Sequence, residues 1–230
     1  MFQSTTPLKQ TEEKQAEGAP MPNLLCLDAI SRAPLQTDPF PHLVAHGTLA
    51  PEAKSLLSRD FPRITKPGFF PLSTLKREGA FDALLTQMES GMAAVLTEKF
   101  GVELRDKPHM ITIRKWSAAK DGRIHNDGKA KIVTCLFYLN EDWPGGEDGG
   151  RFRILRSDKS FDDTAAEVSP DFGNFAAFVR TENSWHGHRP FAGERRVIQM
   201  TWLQSWDDLK RKEKDGRLSF LLKKFLPNSY

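Results

Sequence analysis

The fold of this chain is read from three runs: His125-Asn126-Asp127; Lys131-Ile132-Val133-Thr134-Cys135-Leu136-Phe137-Tyr138-Leu139; and Trp185-His186 leading to Arg196-Val197-Ile198-Gln199-Met200-Thr201-Trp202. The middle run is the most apolar of the sequence and carries the β-branched and aromatic residues of a buried strand. In extended backbone, residues two apart point to the same side. His125 and Asp127 therefore present an imidazole and a carboxylate to one point while Asn126 faces away. His186 follows Asp127 by 59 residues and joins them only in a fold that lays two strands face to face.

Two imidazoles and one carboxylate on one side of a metal leave other positions open, the facial arrangement of non-heme Fe(II) centres. Near pH 7 the imidazoles are largely neutral and the carboxylate ionised, as metal ligation requires. A His-x-Asp tripeptide alone arises often by chance in polar loops, so its weight comes from the surrounding segments.

Outward from this stretch the pattern remains that of strands. Residues 110–116, 151–155, 175–180 and 197–203 read as further strands, and 117–123, with Asp121-Gly122, reads as a turn delivering the chain to His125. Residues 145–150 read as a hairpin connection and 157–169 as a polar link. Several strands separated by turn signals imply an antiparallel sandwich or barrel.

Towards the beginning, 81–100 has apolar residues at helical spacing and stops before Gly101, a helix to pack against the back of a sheet. Residues 24–27 and 41–44 read as short strands, and Thr48 as the cap of a helix over 51–58. Pro67-Gly68-Phe69-Phe70-Pro71 is a candidate lid. His42, His46 and His109 read as ordinary packed or solvated histidines.

At 230 residues, with 39% hydrophobic, 27% charged and 10% aromatic residues, the chain has the composition of an ordinary globular protein with one main domain. Residues 1–22 read as a disordered tail, 23–205 as the main domain, with helical support over 48–101 and the β core over 108–205, and 206–230 as a basic helical segment. Two cysteines are too few for a disulfide framework or a cysteine zinc site. There is no apolar run long enough to span a membrane and no apolar leader, so a cytoplasmic location is expected. A net charge of +3 does not indicate a nucleic-acid partner.

Five segments in order carry a resemblance: Thr134 to Trp143, Gly149-Gly150-Arg151-Phe152-Arg153-Ile154, Pro170-Asp171-Phe172-Gly173, His186-Gly187-His188-Arg189-Pro190-Phe191, and Gly193 to Trp202. Over roughly 108–205 the chain resembles the 2-oxoglutarate and Fe(II)-dependent dioxygenase superfamily, especially its prolyl-hydroxylase-like branch. The resemblance implies a mainly β fold with supporting helices, a double-stranded β-helix or jelly roll with iron at one mouth. It implies iron on His125, Asp127 and His186. His186 is preferred to His188 because it precedes Pro190 by four residues, as the family's metal histidine precedes a proline.

For the distal carboxylate of the co-substrate, counting back six residues from Trp202 selects Arg196 over Arg195. Neighbouring strand residues face opposite ways, so only one of the pair points inward. Tyr138 stands where this branch places a tyrosine that meets the same carboxylate, and it also reads as a core aromatic. Trp116 lies where relatives often have a tyrosine and Phe152 where they often have an aliphatic residue; both departures bear on the shape of the co-substrate pocket. The resemblance implies 2-oxoglutarate and O2 as co-substrates, ascorbate as a supporting reductant, and hydroxylation of an unactivated C–H bond with succinate and CO2 as co-products. The substrate is a prolyl or other amino-acid side chain, or a small metabolite. Two alternatives stand beside it: a non-catalytic jelly-roll interaction protein, and a metal-dependent hydrolase using the same ligands.

Overall fold

The computed structural model describes residues 23–143, 146 and 149–225, with 217–225 described by backbone alone. Its elements are α1 (Leu27–Arg32), β1 (His42–Ala45), α2 (Lys54–Arg59), β2 (Phe70–Pro71), α3 (Gly79–Phe100), β3 (His109–Ser117), β4 (Lys131–Tyr138), β5 (Phe152–Leu155), β6 (Thr164–Val168), β7 (Phe175–Val179), β8 (His186–Gly187), β9 (Gly193–Leu203) and α4 (Trp206–Phe225). A six-stranded sheet runs β1-β7-β4-β9-β3-β2 and a three-stranded sheet runs β6-β5-β8. All the pairings between these strands are antiparallel. This is the jelly roll that the strand pattern and the resemblance led us to expect.

Period-two alternation divides the side chains of the large sheet between two layers. Val133, Cys135 and Phe137 of β4, Phe175 and Ala177 of β7, and Ile198, Met200 and Trp202 of β9 pack with the helices. From α3, Phe81, Leu84, Leu85, Met88, Met92 and Leu96 recur at three- and four-residue steps and meet that face. Gly101 ends the helix in the left-handed region, as expected. The intervening residues, Leu136 and Tyr138 of β4, Ala176 and Phe178 of β7 and Val197 of β9, turn towards the small sheet and meet Phe152 and Ile154. The jelly-roll interior lies between those two faces.

Some local expectations change. Residues 24–27 give one isolated bridge at Leu25 and the start of α1 rather than a strand. Thr48 caps nothing: it is buried, and its hydroxyl donates to the Gly173 carbonyl at 3.0 Å, while a 3-10 turn at Pro51–Ala53 leads into α2. The polar link over 157–169 contains β6, whose Thr-Ala-Ala-Glu sequence lacks bulk because it forms the edge of the small sheet. The candidate lid supplies β2 at the edge of the large sheet. The tail at 1–22, residue 144, and residues 145, 147 and 148 of the hairpin lie outside the described residues. Among the described residues, no helix is long and apolar enough to cross a membrane.

Candidate metal centre

His125 and His186 are joined by a reciprocal backbone pair, each N–H donating to the other's carbonyl at 3.0 Å. This fixes the two imidazoles side by side, ring centres 4.3 Å apart. Asn126 turns away, as alternation requires, and its amide donates to the Thr181 and Glu182 carbonyls at 2.8 Å while its oxygen accepts from Ser184. The segment bearing the first two ligands is thereby tied to the turn that precedes the third. Gly122 and Gly187 permit the close approach: a Cβ on Gly122 would lie 2.2 Å from His188 Nδ1, and one on Gly187 2.6 Å from the Arg123 carbonyl oxygen.

One ligand atom each from His125, Asp127 and His186 lie within 4.8 Å of one another, the one such group among the described residues. Nδ1 of His125 meets the Arg123 carbonyl at 2.9 Å, and Nδ1 of His186 meets the Ser184 carbonyl at 2.8 Å. A neutral imidazole bonded this way carries its proton on Nδ1 and leaves the Nε2 lone pair free for a metal. Asp127 accepts from Lys131 Nζ at 2.6 Å and Thr134 Oγ1 at 2.8 Å. Burial opposes its charge, but Lys131, His186 and these hydrogen bonds hold its pKa down to about 2. Two bare imidazole nitrogens and an ionised carboxylate are a donor set that fits Fe(II).

A cavity of about 120 Å³ opens beside this group, lined among others by Arg114, Lys131, Phe152, His188, Arg195 and Gln199. Phe152 is one of these lining residues, its ring 5.6 Å from that of His186. Tyr138 is fully buried, and its hydroxyl accepts from Arg195 at 3.4 Å. Burial raises the tyrosine's pKa and lowers that of Arg195.

Two expectations are corrected. Arg196 does not face the cavity: it reaches Ser58 at 2.6 Å, pairs with Glu194 and lies over the Phe61 ring. Arg195 lines the cavity instead. Counting back from Trp202 by an even number kept the choice on the face of Trp202 itself, which is the helical face. The signal was present in the alternation of polar Gln199 and Thr201 with apolar Ile198, Met200 and Trp202. Trp116 also lies outside the cavity, its indole donating to the Ile64 carbonyl at 2.9 Å. A register shift between Arg114 and Trp116 leaves Arg114 as the inward residue of β3.

His188 faces the cavity but stands outside the metal-ligand group, with Nδ1 2.9 Å from the Arg189 carbonyl. Lys131 and Arg114 were missed because a lone basic residue on an apolar strand carries no spacing signature.

The buried histidines make the metal-free fold sensitive to acid. Burial lowers His186 from the ordinary 6.5 to about 4, and burial with the nearby Arg195 lowers His188 to about 3. A depressed folded-state pKa means that the unfolded chain takes up protons first as pH falls. The contribution to stability is complete above 6.5 and drains away towards 4 and 3. In metal-free protein at pH 4.5 the two histidines together cost on the order of 5 kcal/mol. Urea unfolding at pH 7.5 and 4.5 measures this; equal stability at the two values rejects burial as the cause.

Residues 111–204 match the family model described as 2OG-Fe(II) oxygenase superfamily. Prolyl hydroxylase EGLN3 from Mus musculus is 27% identical over 93 residues, 40% of this chain and 38% of that protein. Egl nine homolog 1 from Homo sapiens is 27% identical over 88 residues, 38% of this chain and 20% of that protein. The chain thus matches well under half the length of these relatives. Among solved structures, a Pseudomonas putida prolyl-4-hydroxylase aligns with a TM-score of 0.55 at 18% identity, covering 81% of this chain and 97% of that one. A Trichoplax adhaerens prolyl hydroxylase in complex with a hypoxia inducible factor oxygen degradation domain peptide fragment aligns with a TM-score of 0.52 at 15% identity, covering 84% and 92%. These structural likenesses concern the fold.

Proposed function

We propose, from the match of residues 111–204 to the family model described as 2OG-Fe(II) oxygenase superfamily, that this chain is an Fe(II)- and 2-oxoglutarate-dependent dioxygenase that hydroxylates an unactivated C–H bond, releasing succinate and CO2. The observation that carries the reading is the cluster of His125, Asp127 and His186 within 4.8 Å, with both histidines presenting Nε2. Iron held there supplies the oxidative chemistry. The chain's own residues hold, orient and shield. The carbonyl partners of His125 and His186 engage Nδ1 and orient each ring with Nε2 towards the metal position, and Lys131 and Thr134 hold the Asp127 carboxylate. Arg195, charged and fork-shaped, takes the distal carboxylate of 2-oxoglutarate beside the Tyr138 hydroxyl. Phe152, Phe178 and Leu136 keep water from the interior.

As the primary substrate we propose a prolyl or other amino-acid side chain, in line with the names of the relatives, with a small metabolite as the second class. A hydrolase built on the same three ligands gives the buried Arg195–Tyr138 pair no role. A cytoplasmic setting belongs to the same reading and agrees with Cys26 and Cys135 standing unpaired.

The test is succinate formation from 2-oxoglutarate by purified protein under air with Fe(II) and ascorbate, paired with anaerobic titration of 2-oxoglutarate. Slow metal-dependent turnover without added substrate is expected. Absence of both turnover and binding rejects the oxygenase reading.

A further inference from the structure

On β9, Val197 sits between Tyr138 of β4 and Arg114 of β3, each its direct cross-strand partner. Cross-strand partners share a face, so Tyr138 and Arg114 flank one point of the interior, and Arg195, two residues along β9, points to the same side. Arg114 and Arg195 both line the cavity and both are buried. Arg114 is partly satisfied: Nη1 donates to Ser117 Oγ at 3.1 Å, Nη2 lies 3.6 Å from Asp121 and the guanidinium covers the Phe69 ring at 4.2 Å. Its Nε is buried and has no hydrogen-bond partner.

An unpaired donor beside a second guanidinium is a costly arrangement unless an anion joins them. We propose that Arg114 is a second anchor for the distal carboxylate of 2-oxoglutarate, gripping it across β9 from Tyr138 and beside Arg195, which makes the pocket selective for a 2-oxo dicarboxylate. The inference rests on the oxygenase reading above. The carboxylate belongs at this end because Asp127, clustered with His125 and His186, accepts from Thr134, four residues away along β4. Burial and the neighbouring Arg195 press the Arg114 pKa down to about 10 against the opposing pull of Asp121.

The experiment is calorimetric titration of Mn(II)-loaded protein with 2-oxoglutarate and with 2-oxobutanoate, which keeps the chelating end and lacks the second carboxylate. Losing a charge-assisted hydrogen bond predicts that Arg114→Gln weakens 2-oxoglutarate about 10- to 100-fold and leaves 2-oxobutanoate unchanged. Asp121→Asn, which disturbs the 117–121 turn but keeps Arg114, leaves 2-oxoglutarate affinity at the wild-type level. Arg114 is instead a brace for the turn if Arg114→Gln leaves 2-oxoglutarate binding intact, weakens both ligands equally, or is matched by Asp121→Asn. If the wild-type chain binds no 2-oxoglutarate, the oxygenase reading falls and takes this inference with it; wild-type binding with an indifferent Arg114 variant overturns the inference alone.

Discussion

Alanine at His186 removes metal-dependent turnover of 2-oxoglutarate, while alanine at His188 leaves a measurable fraction. Loss of an outer partner of a metal ligand already costs about 10- to 100-fold in affinity or activity, so loss of a ligand exceeds about 100-fold. His186 supplies one of the three clustered donor atoms, and its Nδ1 is committed to Ser184. His188 faces the same cavity from outside that cluster. Mn(II) affinity and succinate yield, measured on both variants, check the ranking. A His188 variant more damaged than the His186 variant overturns the ligand assignment.

The second large effect separates two adjacent arginines. Arg195→Ala weakens 2-oxoglutarate by roughly 100-fold, within the range of about 2 to 5 kcal/mol for truncating one partner of a buried charged pair. It also strands the Tyr138 hydroxyl and the Gly150 carbonyl, which now meet Arg195 at 3.4 and 2.9 Å, so the variant unfolds more readily as well. Arg196→Ala gives up contacts to Ser58 and Glu194 on the far face of the sheet. Its co-substrate affinity stays within experimental error of wild type. Titration of both proteins decides the matter, and equal losses reject the orientation described for β9.

Legibility in the sequence followed the strength of periodicity. Strands β4, β7 and β9 and helix α3 carry full apolar faces, and all are evident in the sequence. β6 was not, because an edge strand of Thr, Ala and Glu buries too little to leave a pattern. The candidate ligands were legible because spacing by two has one physical meaning in extended chain, and because five ordered segments narrowed the choice of the third. The count from Trp202 selected the arginine on the helical face, because an even number of steps along a strand returns to the same side. Arg114 and Lys131 owe their positions to cross-strand register and to a β-irregularity, neither of which is written in local sequence.

The backbone exchange between His125 and His186 also bears on how the chain matures. His125 and Asp127 lead into the large sheet, whereas His186 opens the last strand of the small one, and Asn126 fastens the two segments together. A contact that closes a loop of this length forms only after its ordering entropy has been offset by surrounding structure. Newly made or partly unfolded chains therefore lack the three-donor group. Under the proposed oxygenase function, that order of events would confine redox-active iron to molecules whose protective interior is already complete.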